Sequence, residues 1–195
     1  MPHFTADWFT RNIEPWRDLF RRLKWDRRSR HTAVEVGPFE GRSTLWILEN
    51  LLQHADSRIH CIDLFLPTPH NSDPRTTFVT NVARHAHKID LIESRSFDGL
   101  GRLYASGVRA DFVYIDGSHY GANVLEDLVL SFRLTTVGGL IVCDDYLWSI
   151  DARGSEDVLN SPKIAIDAFT TIFRRKLHIV PHQPLYQLAF VKTAD

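Results

Sequence analysis

Sulfur is scarce in this chain: two cysteines and one methionine among 195 residues. Cys61 and Cys143 each lie inside an apolar run, with no C-x-x-C spacing. That argues against a disulfide scaffold and reads as core thiols in a reducing compartment. Long apolar runs are also missing; none approaches the about 18–20 residues of a membrane span. The N-terminus lacks the basic head, apolar middle and small-residue cleavage site of a signal peptide. The expected location is therefore the cytoplasm, with no membrane partner. Charge of one sign is lacking too: the formal net charge is -1, so no global field draws nucleic acid or an anionic membrane. No internal repeat and no low-complexity tract interrupts the sequence, and its length suits one domain.

What is present is alternation. Residues 7–23 set Trp8, Phe9, Ile13, Trp16, Leu19, Phe20 and Leu23 at helical spacing, predicting an amphipathic helix with a break near Pro15. A basic run with Trp25 embedded, Arg21 to Arg30, follows. It reads either as a phosphate- or RNA-facing patch or as a solvated connector, and the neutral overall charge favours the connector. Residues 1–31 are thus an N-terminal helix and connector, and 32–195 the main domain. From Thr32, short apolar β-branched runs and helical patterns take turns: strands at 32–36, 58–64, 89–93, 112–115 and 140–143, helices at 43–53, 78–87, 97–104, 120–134 and 164–173. Residues 66–75, with three prolines, read as a loop. Two last strands, 177–180 and 186–191, flank a Pro181–Pro184 link that suits a hairpin. Parallel strands need crossover helices, so the pattern implies an α/β open sheet with helices on both faces.

In such folds ligands bind beyond the carboxyl ends of the strands, and that is where the polar residues gather. The first strand closes at Glu35-Val-Gly-Pro-Phe-Glu-Gly41-Arg-Ser-Thr44. Gly37 and Gly41 permit a tight turn, and the helix beyond offers free N–H groups to an anion. Phe39 and Glu40 occupy places where a dinucleotide fingerprint needs small residues. Asp63 ends the second strand about 20 residues on, where an acid accepts bonds from ribose hydroxyls. Ser94 and Ser96, after the third strand, either line an adenine pocket or, for Ser96, cap a helix. Asp116 ends the fourth strand with His119 three residues later, and Asp144 and Asp145 end the fifth. Three carboxylates on neighbouring strands repel one another, and a hard divalent cation such as Mg²⁺ relieves this through oxygen ligation.

Glu35-x-Gly37-x-x-x-Gly41, Asp63, Asp116 and Gly138-Gly139 before a strand ending in Asp144 together resemble the class I S-adenosylmethionine-dependent methyltransferases. More narrowly, E-V-G-P-F-E-G-R-S-T-L-W, Y-I-D-G-S-H-Y, V-L-E-D-L and G-G-L-I-V-C-D-D-Y are similar to the metal-dependent small-molecule O-methyltransferases of macrolide-sugar and cephalosporin-pathway type. The resemblance spans about residues 32–192. It implies a Rossmann-like sheet of order 3-2-1-4-5-7-6 with an antiparallel last strand. It implies that Glu35, Gly37, Phe39, Gly41, Ser43, Asp63, Ser94, Ser96 and Asp116 surround S-adenosylmethionine, with Asp63 on the ribose. Asp116, Asp144 and Asp145 would hold Mg²⁺, and His119 would act as base toward a hydroxyl of a small-molecule acceptor, a sugar or natural product. Phe39 stands where the family usually has a further glycine, Pro38 removes one backbone donor, and Asp145 stands where asparagine also occurs. Two alternatives remain at this level: a cofactor-binding relative without transfer activity, and a nicotinamide-dependent oxidoreductase. The aromatic first helix could cover the acceptor site or form a homo-oligomer surface, and Tyr146–Ser161 could wall the acceptor site.

Overall fold

The structure, a computed structural model, describes residues 2–195. Seven strands form one sheet in the order β3-β2-β1-β4-β5-β7-β6. They are β1 Thr32–Val36, β2 Arg58–Asp63, β3 Ile89–Glu93, β4 Ala110–Ile115, β5 Thr135–Cys143, β6 Leu177–Ile179 and β7 Leu188–Lys192. The first five strands pair in parallel, while β7 runs antiparallel to both β5 and β6. The six α-helices are α1 Ile13–Arg22, α2 Arg42–Asn50, α3 Pro74–Val82, α4 Ser96–Ala105, α5 Gly121–Leu134 and α6 Pro162–Ile172. This is the expected sheet order with its terminal antiparallel strand. Among the described residues no helix is long and apolar enough to cross a membrane.

The central strands are apolar on both sides because both sides are covered. Alternate residues point to opposite faces, so Ala33, Cys61, Phe112, Tyr114 and Val142 join one core with Trp16, Leu19, Phe20 and the apolar face of α2. Val34, Val36, Val113, Ile115 and Ile141 join the other with Leu100, Leu128, Phe132 and Phe169 of α4, α5 and α6. Helix α1 is therefore part of the packing. Trp16 is 1% exposed and meets Tyr114, Trp46 and Phe112 edge-on at 4.8, 5.4 and 5.7 Å between ring centroids. Burying Leu19 and Phe20 contributes roughly 1.5–3 kcal/mol each, and Trp16→Ala would cost about 3–5 kcal/mol. Of the aromatic face read from the sequence as a possible oligomer surface, Phe9, Trp16 and Phe20 are buried in the chain's own core while Trp8 stays half exposed.

Local chemistry moves several boundaries. Pro15 does not break α1, because it sits in the first turn, where it has no intrahelical donor to lose; a separate 3-10 turn, Thr10–Asn12, precedes the helix. Helix α3 starts at Pro74, inside the stretch read as loop, since Asp73 accepts from the Thr76 N–H at 3.0 Å and proline suits the first position. Strand β5 leaves α5 directly at Thr135 and passes through Gly138, whose φ of 90° accompanies a register irregularity against β4. The β6–β7 connection runs from Val180 to Gln187, longer than the four residues expected.

Candidate active site

Strand register brings the polar rim together. Val36 is paired with Ile115, and Ile115 with Cys143, so the next residues, Gly37, Asp116 and Asp144, stand abreast. The ladder continues one step past the strands: Asp116 N–H donates to Val36 C=O and Asp144 N–H to Ile115 C=O, both at 2.9 Å. The order of the sheet reverses between β1 and β4, and in open α/β sheets that switch point is where ligands bind.

On the β1 side the turn is tight. Gly37 has φ 81°, and a Cβ there would lie 2.0 Å from the Asp116 carbonyl oxygen. Phe39 also takes a positive φ, 48°, a conformation that costs a non-glycine residue roughly 1–2 kcal/mol. Its N–H donates to Asp63 Oδ2 at 3.1 Å and its ring stacks on Trp8 at 5.0 Å. Those contacts let phenylalanine stand where the family usually has glycine. A cleft of about 360 Å³, counting space open to solvent, opens beside the turn. Gly37, Phe39, Ser43 and Asp116 line it from the sheet, and Ala6, Trp8 and Phe9 from the N-terminal segment. That segment is strapped down: Thr5 donates to the Glu40 carboxylate through its N–H at 2.7 Å and its hydroxyl at 2.5 Å, and Asp7 pairs with Arg42 at 2.8 Å.

The remaining expected cofactor residues do not all reach this cleft. Glu35 points into the α1–α2 core, fully buried, where Ser43 and Thr44 hydroxyls donate to its two oxygens at 2.5 and 2.6 Å. Burial pushes its carboxyl up to about 7 despite those bonds. Asp63 holds the turn by accepting from the Phe39 and Phe65 N–H groups, and burial raises its carboxyl. Ser94 donates to the Arg95 carbonyl at 3.1 Å, and Ser96 opens α4; neither lines the two clefts described here.

On the β4–β5 side a second, smaller cleft of about 230 Å³ is lined by Asp116, His119, Asp144, Asp145 and Pro162, among others. One oxygen or nitrogen from each of Asp116, His119 and Asp145 lies within 4.8 Å of the others. His119 Nε2 is 2.6 Å from Asp145 Oδ2, and its ring packs 4.2 Å from that of Trp148. Asp144 stands behind this group. Its Oδ2 accepts from Asn12 Nδ2 at 3.1 Å, Gln187 Nε2 at 3.0 Å and the Tyr114 hydroxyl, and its Oδ1 from the Asp145 N–H at 2.8 Å. Burial, with Asp144 and Asp145 nearby, pushes the Asp116 carboxyl well above the usual range. Burial likewise raises Asp144. The Tyr114 hydroxyl also lies 3.0 Å from Asp116 Oδ2, yet a phenol has one proton to share between two carboxylates. The rim is thus one proton or one cation short of satisfaction, and the oxygen-rich donor set fits a hard divalent ion. Arg11, largely exposed, lies 3.9 Å from Asp145.

Asn12, Tyr114, Trp16 and Gln187 went unsingled in the sequence as site residues. Trp16 and Tyr114 read only as apolar positions of a helix and a strand, and nothing local marks Asn12 or Gln187.

A seven-stranded sheet of this order, with a glycine turn after β1 and acids after β4 and β5, is the class I S-adenosylmethionine-dependent methyltransferase architecture. Residues 34–146, more than half of the chain, match the family model described as a methyltransferase domain, and the chain belongs to that family. A protein of Arabidopsis thaliana named as a probable caffeoyl-CoA O-methyltransferase is 30% identical over 149 residues. The match covers 74% of this chain but 60% of that relative, so the chain spans about three fifths of its length. Among solved structures, the O-methyltransferase TomG of Streptomyces achromogenes, in complex with S-adenosylmethionine, superposes with a TM-score of 0.67 and 18% identity, covering 92% of this chain and 80% of that one. MycE of the mycinamycin biosynthetic pathway, in complex with Mg, S-adenosylhomocysteine and mycinamycin VI, gives 0.64 and 18%, covering 98% of this chain and 51% of that one. At these identities the structural matches speak for the fold.

Proposed function

We propose that the protein is an S-adenosylmethionine-dependent O-methyltransferase acting on a hydroxyl of a small molecule, a sugar or natural product. The observation that carries this reading is the juxtaposition of the Gly37 turn, Asp116 and the His119–Asp145 pair on one rim, in a chain of the methyltransferase family. The cofactor would lie in the larger cleft with Gly37, Phe39, Gly41, Ser43 and Asp116 near its methionine end and Asp63 toward the ribose. Ser94 and Ser96 are proposed toward the adenine, and Glu35 supports the turn from behind.

Asp116 and Asp145 would hold a divalent cation, Mg²⁺ by their oxygen chemistry, with Asp144 at their back. When bound, such an ion makes a neighbouring hydroxyl easier to deprotonate. His119 supports a base role: Asp145 at 2.6 Å from Nε2 fixes one nitrogen, which orients the ring and leaves the other for the acceptor's proton. S-adenosylmethionine held there would supply its methyl group as an electrophile on a sulfonium, and His119 would take the proton that the acceptor hydroxyl gives up. Positioning of oxygen, methyl and sulfur in line contributes much of the acceleration. MycE's complex with Mg and mycinamycin VI supports the metal and the acceptor class by analogy, and membership in a methyltransferase family favours this reading over a nicotinamide enzyme.

Calorimetry with S-adenosylhomocysteine, with and without Mg²⁺, is the direct test, followed by transfer of a labelled methyl group to a panel of catechols, sugars and macrolides. Absence of nucleoside binding at high micromolar concentration would sink the proposal. Binding without transfer to any acceptor class would favour a cofactor-binding relative that does no chemistry.

A further inference from the structure

Two adjacent acids just past a strand end are poorly constrained by the strand itself. Strand β5 stops at Cys143, and Asp145 sits at φ 54°, a left-handed conformation that aspartate tolerates better than most residues but does not prefer. Something other than local propensity holds Asp145 where its carboxylate meets His119.

We propose that Asn12 and Gln187, the latter oriented by Trp16, are positioning residues for the Asp144–Asp145 pair; the proposal rests on the methyl-transfer reading above. Trp16 Nε1 donates to Gln187 Oε1 at 2.8 Å, which turns the amide so that its NH₂ faces Asp144 Oδ2 at 3.0 Å. Asn12 reaches the same oxygen from the opposite end of the chain at 3.1 Å. With Oδ2 fixed, Oδ1 accepts the Asp145 N–H at 2.8 Å, and that bond pins residue 145 in its left-handed conformation. The Asp145 side chain is thereby aimed at His119 Nε2, 2.6 Å away. Asn12 and Gln187 are each 3% exposed, and buried polar side chains persist where their bonds do something an apolar residue would not. Here the donors are neutral. They orient Asp144 without cancelling its charge, whereas a lysine or arginine in either place would compete with a cation at the rim. Outer hydrogen bonds of this kind commonly set ligand orientation in metal sites.

Isosteric variants test this. Asn12→Asp and Gln187→Glu keep the shape while replacing the donor to Asp144 with an acceptor; Asn12→Leu removes the donor without adding charge, in case the charged variants fold poorly. Arg17→Ala, an exposed change on α1, the helix that follows Asn12, is the control. Mn²⁺ affinity is read by electron paramagnetic resonance on the free protein, S-adenosylhomocysteine affinity by calorimetry, and kcat and KM with the acceptor that the wild type methylates. The network predicts about tenfold or greater loss of Mn²⁺ affinity and a fall in kcat of similar size. The nucleoside Kd and the KM for S-adenosylmethionine should stay within twofold, and Arg17→Ala should change none of them. Folded variants that keep Mn²⁺ affinity and kcat within twofold overturn the proposal. So does a proportional loss of every property including nucleoside binding, which marks mere structural damage, and so does a wild type that takes up no Mn²⁺. A wild type that binds Mn²⁺ but no S-adenosylhomocysteine sinks the methyl-transfer reading instead, and the network is then judged on Mn²⁺ affinity.

Discussion

Two glycines share nearly the same backbone conformation and differ in what surrounds them, which makes Gly37→Ala a controlled experiment. Gly37 has φ 81° and Gly107 φ 79°. A methyl group on Gly107 meets nothing within 4 Å, whereas one on Gly37 would lie 2.0 Å from the Asp116 carbonyl oxygen, 2.6 Å from its carbon and 2.8 Å from Gly117 Cα. At both sites alanine pays roughly 1–2 kcal/mol for the left-handed conformation, partly offset by about 0.4–1 kcal/mol from a less flexible unfolded chain. Gly107→Ala should therefore cost no more than about 1.5 kcal/mol. Gly37→Ala adds a clash with backbone, which no rotamer change relieves, and overpacking of that kind costs typically 1–3 kcal/mol or more. A difference of about 2 kcal/mol between the two variants should appear as about 4–8 °C in Tm for a chain of this size. The strain falls on the β1 turn and the Asp116 backbone, so Gly37→Ala should also weaken S-adenosylhomocysteine binding at least tenfold, while Gly107→Ala leaves it unchanged. Thermal melts and calorimetry on the two proteins decide it. Equal Tm values, or an unaltered nucleoside affinity for Gly37→Ala, would refute the claim that the turn is held against the end of β4.

His119→Ala should lower kcat by about 10²–10⁴-fold, the usual contribution of a positioned base, with S-adenosylhomocysteine affinity within twofold of wild type; single-turnover methyl transfer measures the first and calorimetry the second. Trp8→Ala should weaken nucleoside binding by about two- to tenfold, since aromatic stacking contributes roughly 0.5–1.5 kcal/mol. Trp8 is 52% exposed, so the melting temperature should barely move; a large drop in Tm with intact binding would contradict its place as a cleft wall. Asp127, 1% exposed on α5, has no hydrogen-bond partner for either oxygen, and burial pushes its carboxyl up to about 7. A raised carboxyl favours the folded state below the unfolded value near 3.8, and the advantage disappears as pH rises toward about 7. Asp127→Asn should flatten this segment of the Tm-against-pH curve and be more stable than wild type at pH 8. An unchanged slope would show the carboxyl to be ionised and satisfied.

The sheet was legible because strand and helix periods alternate so plainly, and because crossover connections leave few topologies. Strand ends were legible for the same reason: Asp63, Asp116 and Asp144 each follow a β-branched run. What the alternation does not encode is side-chain direction beyond the last paired residue. Asp144 and Asp145 were read as equivalent acids, yet Asp144 turns inward to three side-chain donors while Asp145 faces His119. Glu35 belongs to the same lesson. The period of two sends it to the α1–α2 face together with Ala33 and Cys61, away from the cleft, although its place in the motif puts it next to the glycines. The pairing of Asn12 with Asp144 spans 132 residues, and no local pattern announces a contact of that separation.

An open parallel sheet presents a row of strand ends and no walls, so a site built on it needs other parts of the chain to enclose it. Here the two ends of the sequence do so from opposite sides. Residues 6–9 wall the larger cleft against the β1 turn, and Asn12 and Trp16 reach on to Asp144 and Gln187. From the C-terminal half, Trp148 lies on His119, and the residue before β7 supplies the second amide to Asp144. The carboxylates come from the middle of the chain and what orients them comes from its ends. A rim of repelling acids is costly unless its donors arrive, so docking of the first helix and of the β6–β7 connection are steps in completing the site as well as the core. That coupling explains why Trp16 serves both: its ring closes the core against Tyr114, and its single N–H sets the amide that holds the acid pair.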